Sequence, residues 1–330
     1  MVDAKKYALI DLHIHLDGSL SLASARALAD MQGIALPEDD EALSRMLRVS
    51  DNCQSLNEYL EKFALPLTLL QTSEAISEAV LRLCRELAEQ GLAYAEIRFA
   101  PQLHCERGLT QDAVVEAAIR GMKKSGFYAS LILCCMRGGD NLQKNLLTVE
   151  AASRFLGKGV CAVDLAGAEA LYSTDSFAEV FEYARSLSIP FTVHAGEADG
   201  PESVYAALSF GARRIGHGVR SIENPELLQI LSQKKIALEL CPTSNMNTRV
   251  FETMSQYPIR AFLNAGMLIT INTDNTSVSA TSLANEYQKI TDTFSLTESE
   301  LQTLALNSAY ATFLCDVEKE KLVERIKSRF

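Results

Sequence analysis

The sequence predicts an α/β chain folded as a (β/α)8 barrel of the TIM type, with extra helices over the first βα loop. Three observations predict it. Eight short, apolar, β-branched runs recur along 330 residues. Segments with apolar residues at three- and four-residue spacing lie between them, the alternation that builds a parallel sheet. The first run ends in HIHLDG, without the glycine-rich phosphate turn that an open, doubly wound sheet would carry at that place.

The strand-like runs are YALIDLHI (7–14), AYAEIRFA (93–100), YASLILCCM (128–136), GVCAVDLAG (159–167), PFTVHAGE (190–197), RRIGHGV (213–219), IALELCPTS (236–244) and MLITINTDN (267–275). Between them, Ser73 stands as a cap before EAISEAVLRLCRELAEQ, and Gly91 closes that helix. Asp175 or Ser176 opens FAEVFEYARSL, and NPELLQILSQKK carries Pro225 in its first turn. Residues 20–72 are too long for one barrel helix, so additional helices are expected there, with NEYLEKFALPLTLL interrupted by Pro66. From about Leu283 the chain is helical and charged at its end. No linker, repeat or composition break marks a second domain, so 1–330 is expected to be one barrel domain.

Composition narrows the function. Hydrophobic residues make up 48 % and charged residues 22 %, which suits a packed core rather than disorder. The net charge of −11 repels phosphate backbones, so neither nucleic acid nor an anionic membrane is an expected partner. No run of about 18 apolar residues offers a membrane span, and MVDAKKYALIDLH lacks a signal-peptide core, so a cytoplasmic location is expected. The eight cysteines form no CxxC pair and read as reduced core residues.

The chemistry starts with His13 and His15. Alternate residues of a strand share a face, so both imidazoles point into the barrel while Ile14 points away. Such a pair is stable either as hydrogen-bonded core histidines or around a cation that holds them neutral, and HxH at a strand's end favours the cation. His194, His217 and Asp274 stand at the ends of the fifth, sixth and eighth runs. Strand ends of such a barrel converge on the face that carries active sites. His13, His15, His194 and Asp274 would form a nitrogen and oxygen set without thiolate, which fits one Zn2+ per chain best, with Fe2+ or Mn2+ as alternatives. A metal with an open position lowers the pKa of water towards neutrality. Glu197, three residues after His194, could move a proton there. Taken alone, it would read as a solvated loop carboxylate. His104 reads as an ordinary loop residue. His104-Cys105-Glu106 matches half of a different zinc-deaminase signature, but the PCxxC half is absent.

The segments DLHIHLDGS, DLAGAE, HAGEADGPES, GHGVRS, CPTSN and NTDN, in this order and spacing, resemble the adenosine deaminase family of the amidohydrolase superfamily, in its bacterial branch. The resemblance implies hydrolytic deamination of adenosine and 2′-deoxyadenosine, in purine salvage, with release of ammonia. It implies that His13, His15, His194 and Asp274 hold zinc, that Glu197 protonates purine N1, and that His217 orients or deprotonates the attacking water. It further implies that the Gly167 NH meets N3, that Asp17 binds the ribose, that Leu60 and Phe63 form an apolar lid, and that Met136 lies on the pocket wall. Asn275 stands where animal members carry an aspartate that contacts N7; an amide can donate to that acceptor directly. Ala168 stands where many relatives have aspartate. A purine nucleoside is thus the expected small-molecule partner. An adenine or aminodeoxyfutalosine deaminase on the same barrel is the alternative, but relatives of that kind usually read HxEG where this chain reads HLDG. A barrel that had lost catalysis would not need the metal set together with Glu197 and His217.

Overall fold

The computed structural model describes residues 2–50 and 53–330. Eight parallel strands form the frame: β1 (Ile10–His15), β2 (Tyr94–Phe99), β3 (Ala129–Met136), β4 (Val160–Ala166), β5 (Thr192–Ala195), β6 (Arg214–His217), β7 (Ala237–Leu240) and β8 (Ile269–Ile271). They form two ladders in sequence order, β1 to β4 and β5 to β8. Single bridges join the ladders, Val163 with Phe191 on one side and Ile14 with Asp274 on the other. At the second seam the His15 NH donates to the Asp274 carbonyl and the Asp274 NH to the His13 carbonyl, both at 2.7 Å. Closing the barrel therefore seats Asp274 against the two histidines of β1.

The strands are buried on both faces, as parallel strands flanked by helices are. They are shorter than their apolar runs. Ala4–Tyr7 forms a helical turn capped by Asp3, with Ala8 left-handed at its end, so β1 starts only at Ile10. CPTS leaves β7 because Pro242 starts a short helix, Pro242–Asn247. The helix Ser73–Glu89 is capped by the Thr72 hydroxyl rather than by Ser73, which is its first residue. Neither Asp175 nor Ser176 caps the helix Ala178–Ser186; both lie in the 3-10 turn Thr174–Phe177 that runs into it. Pro225 starts its helix as expected, with the Asn224 side chain accepting from the NH groups of Glu226 and Leu227.

Extra helices do cover the first βα connection: Leu22–Gln32, Asp40–Leu47, Leu56–Leu60 and Ala64–Leu69. Pro66 does not interrupt this segment. It sits in the first turn of Ala64–Leu69, where its missing NH removes no helical hydrogen bond. Three helices, Leu283–Phe294, Glu298–Ala311 and Asp316–Lys327, end the chain.

The barrel interior departs from the usual layers of branched apolar side chains. Glu96, Arg98, Asp164, Thr192, Arg214 and Glu239 are all buried there. Arg98 pairs with Asp164 at 2.9 Å and Glu239 at 2.8 Å, and Arg214 pairs with Glu96 and Glu239, each at 2.6 Å. Buried charges are tolerable only when partnered this closely. The apolar packing lies outside the strands, between them and the helices. Among the described residues, no helix is long and apolar enough to cross a membrane. Five cysteines (Cys53, Cys84, Cys134, Cys135 and Cys241) are buried, Cys105 and Cys161 are half-buried, and Cys315 is exposed.

Candidate active site

The C-terminal ends of the strands bring His13, His15, His194 and Asp274 together, with one ligand atom of each within 4.8 Å of all the others. His15 Nε2 lies 3.2 Å from His194 Nε2 and 3.3 Å from Asp274 Oδ1, and His13 Nε2 lies 3.5 Å from that oxygen. His13 donates through Nδ1 to Glu239 at 2.8 Å, and His194 through Nδ1 to Asp164 at 2.9 Å. Those bonds leave both Nε2 atoms as lone pairs. Burial lowers the pKa of His15 and His194, so the rings are neutral. For Asp274, burial alone would raise the pKa, but His13, His15 and His217 together hold it below the usual carboxylate range. Lone pairs of neutral rings and a carboxylate that face one point repel one another unless a cation sits between them. His13 Nε2 has no partner within the protein. Ligand bonds of about 2.0–2.1 Å put neighbouring donor atoms roughly 3 Å apart, so the set fits a metal ion of zinc's size. A second grouping of His13, His217 and Cys241 is a poorer candidate. Burial pushes the Cys241 thiol well up, and its hydrogen points to the Glu239 carbonyl at 3.4 Å.

Glu197 and His217 face each other beside this cluster, with Oε2 and Nε2 3.5 Å apart. Glu197 is buried, not a solvated loop carboxylate, and burial raises its pKa. A carboxyl raised in this way keeps a proton that it can donate. His217 and Asp274 both have left-handed backbones, φ +58° and +62°. His and Asp tolerate this region better than most residues, yet two such residues in one site mark it as strained for a purpose.

A cavity of about 250 Å³ opens over the cluster. Asp17, Gly167, Asn275, Leu60, Phe63 and Met136 all line it, together with His15, His194, Glu197, His217 and Asp274. Every residue expected from the sequence thus meets here, with His13 beneath. Asp17 arrives by another route than strand alternation. The strand ends at His15, and Asp17 opens the 3-10 turn Asp17–Ser19. Its Oδ1 is buried without a partner, and burial lifts its pKa to about 6. Asn275 Oδ1 is likewise buried and unpartnered. Gly167 follows the last residue of β4 with φ +107°. Leu56, Tyr59, Leu67 and Leu103 complete the apolar lining with Leu60 and Phe63. Ala168 lines the cavity and its carbonyl accepts from the NH groups of Leu171 and Tyr172; nothing in the structure explains why aspartate is absent there.

His104 is not an ordinary loop residue. It is fully buried in the turn Pro101–His104, and its Nδ1 lies 3.0 Å from the Leu70 carbonyl, which ties the base of the lid to β2. Burial lowers its pKa to about 4.

Four side chains within or beside the motifs support the site without having been assigned a role from sequence. Asp164 and Glu239 orient His194 and His13, two histidines of the cluster. Glu169 collects the NH groups of Gly196, Glu197, Ala198 and Asp199 at 2.7–3.0 Å and so fixes the turn that carries Glu197. Asn245 contacts both Glu197 and His217. The available signal was a charged residue inside an apolar strand, as in VCAVDLA and ALEL, since an unpaired charge is rarely buried.

Comparisons with known proteins agree with this geometry. The profile of the adenosine deaminase family matches residues 8–329. The chain belongs to the adenosine deaminase family. It is 48 % identical to adenosine deaminase of Haemophilus ducreyi (strain 35000HP / ATCC 700724), over 98 % of this chain and 97 % of that protein. Among solved structures it is similar to Arabidopsis N6-mAMP deaminase, with a TM-score of 0.87, 26 % identity and 98 % of each chain covered. It shares the fold of adenine deaminase from Arthrobacter aurescens, with a TM-score of 0.86, 24 % identity, and 97 % of this chain and 98 % of that one covered.

Proposed function

We propose that this protein hydrolyses the C6 amino group of adenosine and 2′-deoxyadenosine, giving inosine or 2′-deoxyinosine and ammonia. It would act as a single barrel domain over 1–330, in the cytoplasm, with one Zn2+ per chain. The observation that carries this reading is one cavity that joins a three-histidine, one-aspartate cluster to a buried carboxyl with a raised pKa. The family membership and the 48 % identity to a named adenosine deaminase support it further.

His13, His15, His194 and Asp274 would hold the metal, which when bound acidifies water and supplies a nucleophile at neutral pH. Glu197 gives its proton to purine N1, which makes C6 electrophilic. His217 orients the attacking water towards C6. Gly167 donates its NH to N3, and the Asn275 amide donates to N7. Asp17 accepts from the ribose hydroxyls; its unpartnered Oδ1 is an acceptor waiting for such a donor. Leu60, Phe63 and Met136 exclude bulk water, which strengthens the electrostatics within.

The alternatives are free adenine or aminodeoxyfutalosine as substrate. The deciding measurement is kcat/KM for adenosine, 2′-deoxyadenosine, adenine and aminodeoxyfutalosine on zinc-loaded protein. The two adenosines are expected to exceed adenine by up to about 10⁴–10⁵-fold, because a site built to bond hydroxyls is left with unpaired polar groups when they are missing. A higher value for adenine or aminodeoxyfutalosine would replace the nucleoside reading.

A further inference from the structure

Asn245 is fully buried in the short helix that follows β7. Its amide stands between Glu197, assigned above to proton transfer, and His217, assigned to the attacking water. Nδ2 lies 3.1 Å from His217 Nδ1 and 3.4 Å from Glu197 Oε1. Oδ1 accepts from the Tyr257 hydroxyl at 2.9 Å. An amide nitrogen carries two hydrogens, so it can serve both neighbours at once. Turned over, the amide would set an oxygen against the Glu197 carboxyl and lose both donations. Tyr257 is itself buried, and burial keeps its hydroxyl protonated, so it remains a donor that fixes Oδ1.

We infer that Asn245 is a positioning residue for the deamination step, one that holds Glu197 and His217 in a fixed relation and selects the tautomer of His217. This inference rests on the deaminase reading. With Nδ1 accepting from Asn245, the ring hydrogen sits on Nε2, the nitrogen that faces Glu197 Oε2 at 3.5 Å. His217 then offers a donor rather than a lone pair on that side. It then orients the water through the water's oxygen. His217 also has a left-handed backbone, φ +58°, a conformation that persists only where surrounding contacts hold it. Thr248 braces the same Glu197 oxygen at 3.2 Å, but its single hydrogen is also within reach of the Ser244 carbonyl at 3.1 Å. Asn245 is the partner that reaches both members of the pair.

The test uses full-length, zinc-loaded protein and the variants Asn245→Asp and Tyr257→Phe. For each, kcat and KM with adenosine, bound metal and melting temperature are measured. So is the affinity for inosine and for a purine nucleoside made tetrahedral at C6. Asn245→Asp keeps the shape but turns the donor into an acceptor. It is expected to lower kcat about 10- to 100-fold, the range for a hydrogen bond to a charged group. Metal content, KM and inosine affinity should stay within about twofold, while affinity for the tetrahedral analogue falls in step with kcat. Tyr257→Phe removes only the anchor of Oδ1 and should cost about 3- to 10-fold in kcat. A role in packing alone would lower the melting temperature without separating the analogue from inosine, and that result would overturn the inference. So would an Asn245→Asp protein with wild-type kcat. If Asn245→Asp does not fold, Tyr257→Phe decides, and an unchanged kcat there overturns it. Wild-type protein that leaves adenosine untouched would overturn the deaminase reading, and this inference with it. An active wild type with unimpaired variants would overturn the inference alone.

Discussion

The two halves of the site are held in place by different kinds of group. Around the metal ligands the supporting atoms are charged: Glu239 and Asp164 receive the Nδ1 hydrogens of His13 and His194, and Arg98 and Arg214 pair with those carboxylates. Arg98 and the neighbouring histidines overcome burial and hold both carboxylates well below their ordinary pKa. Around Glu197 the head-group partners are a neutral amide, a neutral hydroxyl and an imidazole, from Asn245, Thr248 and His217. The difference follows from what each half must do. A metal ligand has to stay unprotonated in one tautomer throughout, so a fixed charge behind it is an advantage. A carboxyl that gives up and regains a proton in every cycle would be locked in one state by a full charge at contact distance. Neutral donors position it while leaving both states accessible. Glu169, a charge close to Glu197, grips the backbone of the turn instead of the carboxyl.

The largest effect is expected in the proton-transferring half. Glu197→Gln keeps the shape and the contacts with Asn245 and Thr248 but has no proton to give at N1. Turnover should fall by about 10²–10⁴-fold, the usual worth of a general acid. Bound metal should stay at one per chain, and added metal should restore nothing. Elemental analysis beside kcat checks this, and a variant that retains most of its activity would remove Glu197 from the role.

A smaller and different effect is expected behind the metal ligands. Asp164→Asn preserves size but withdraws the charge that accepts from His194 Nδ1 at 2.9 Å. Loss of such a supporting carboxylate typically costs about 10–100-fold in metal affinity or activity. The comparison makes a sharper demand: activity should return when metal is added in excess, which titration of metal against kcat would detect. A deficit that persists at saturating metal would mean that Asp164 also acts on the chemical step, and the two halves would not be separable in this way.

That His13, His15, His194, Asp274, Glu197 and His217 would meet was legible in the sequence because their spacing is geometric. His13 and His15 share a strand face, and His194, His217 and Asp274 fall at or just past the ends of apolar runs, which a closed barrel gathers at one rim. The barrel, the helical cover over 20–72 and the helical C-terminus were legible for the same reason. Local endings were not. Pro242 starts a helix inside what reads as a strand, the turn capped by Asp3 runs into the first residue of another, and Thr72 takes the cap from Ser73, because a terminus depends on which side chain reaches which NH. His104 escaped because its partner, the Leu70 carbonyl, lies 34 residues away in sequence. Asn245 and Glu169 escaped for a similar reason: both act through contacts that only the closed barrel creates, and neither is unusual within its own stretch of chain.

The smallest effect is expected at Gly18, where the substrate end of the site depends on the absence of one atom. A Cβ there would stand 1.6 Å from Asn275 Oδ1 and 2.4 Å from its Cγ, so alanine cannot be accommodated with Asn275 in place. Moving Gly18 away is costly, because its carbonyl accepts from the NH groups of Ser277 and Val278. The Asn275 side chain is the softer element and should swing aside. The metal is untouched, since Asp274 stays bound to β1 through its backbone pair with His13 and His15. Glu197, in the turn after β5, and His217, at the end of β6, keep their contacts. On the proposed role of Asn275, what would be lost is one neutral hydrogen bond from the amide to purine N7, worth about 0.5–1.5 kcal/mol, or roughly two- to tenfold in kcat/KM. Gly18→Ala should therefore show full metal content and a two- to tenfold lower kcat/KM for adenosine, of the order that a single neutral hydrogen bond supplies. Asn275→Ala should fall by a similar factor, and the double variant should be no worse than either single one, because both remove the same contact. Additive losses would mean that Gly18 serves the site through something other than Asn275, and the N7 contact would have to be reassigned.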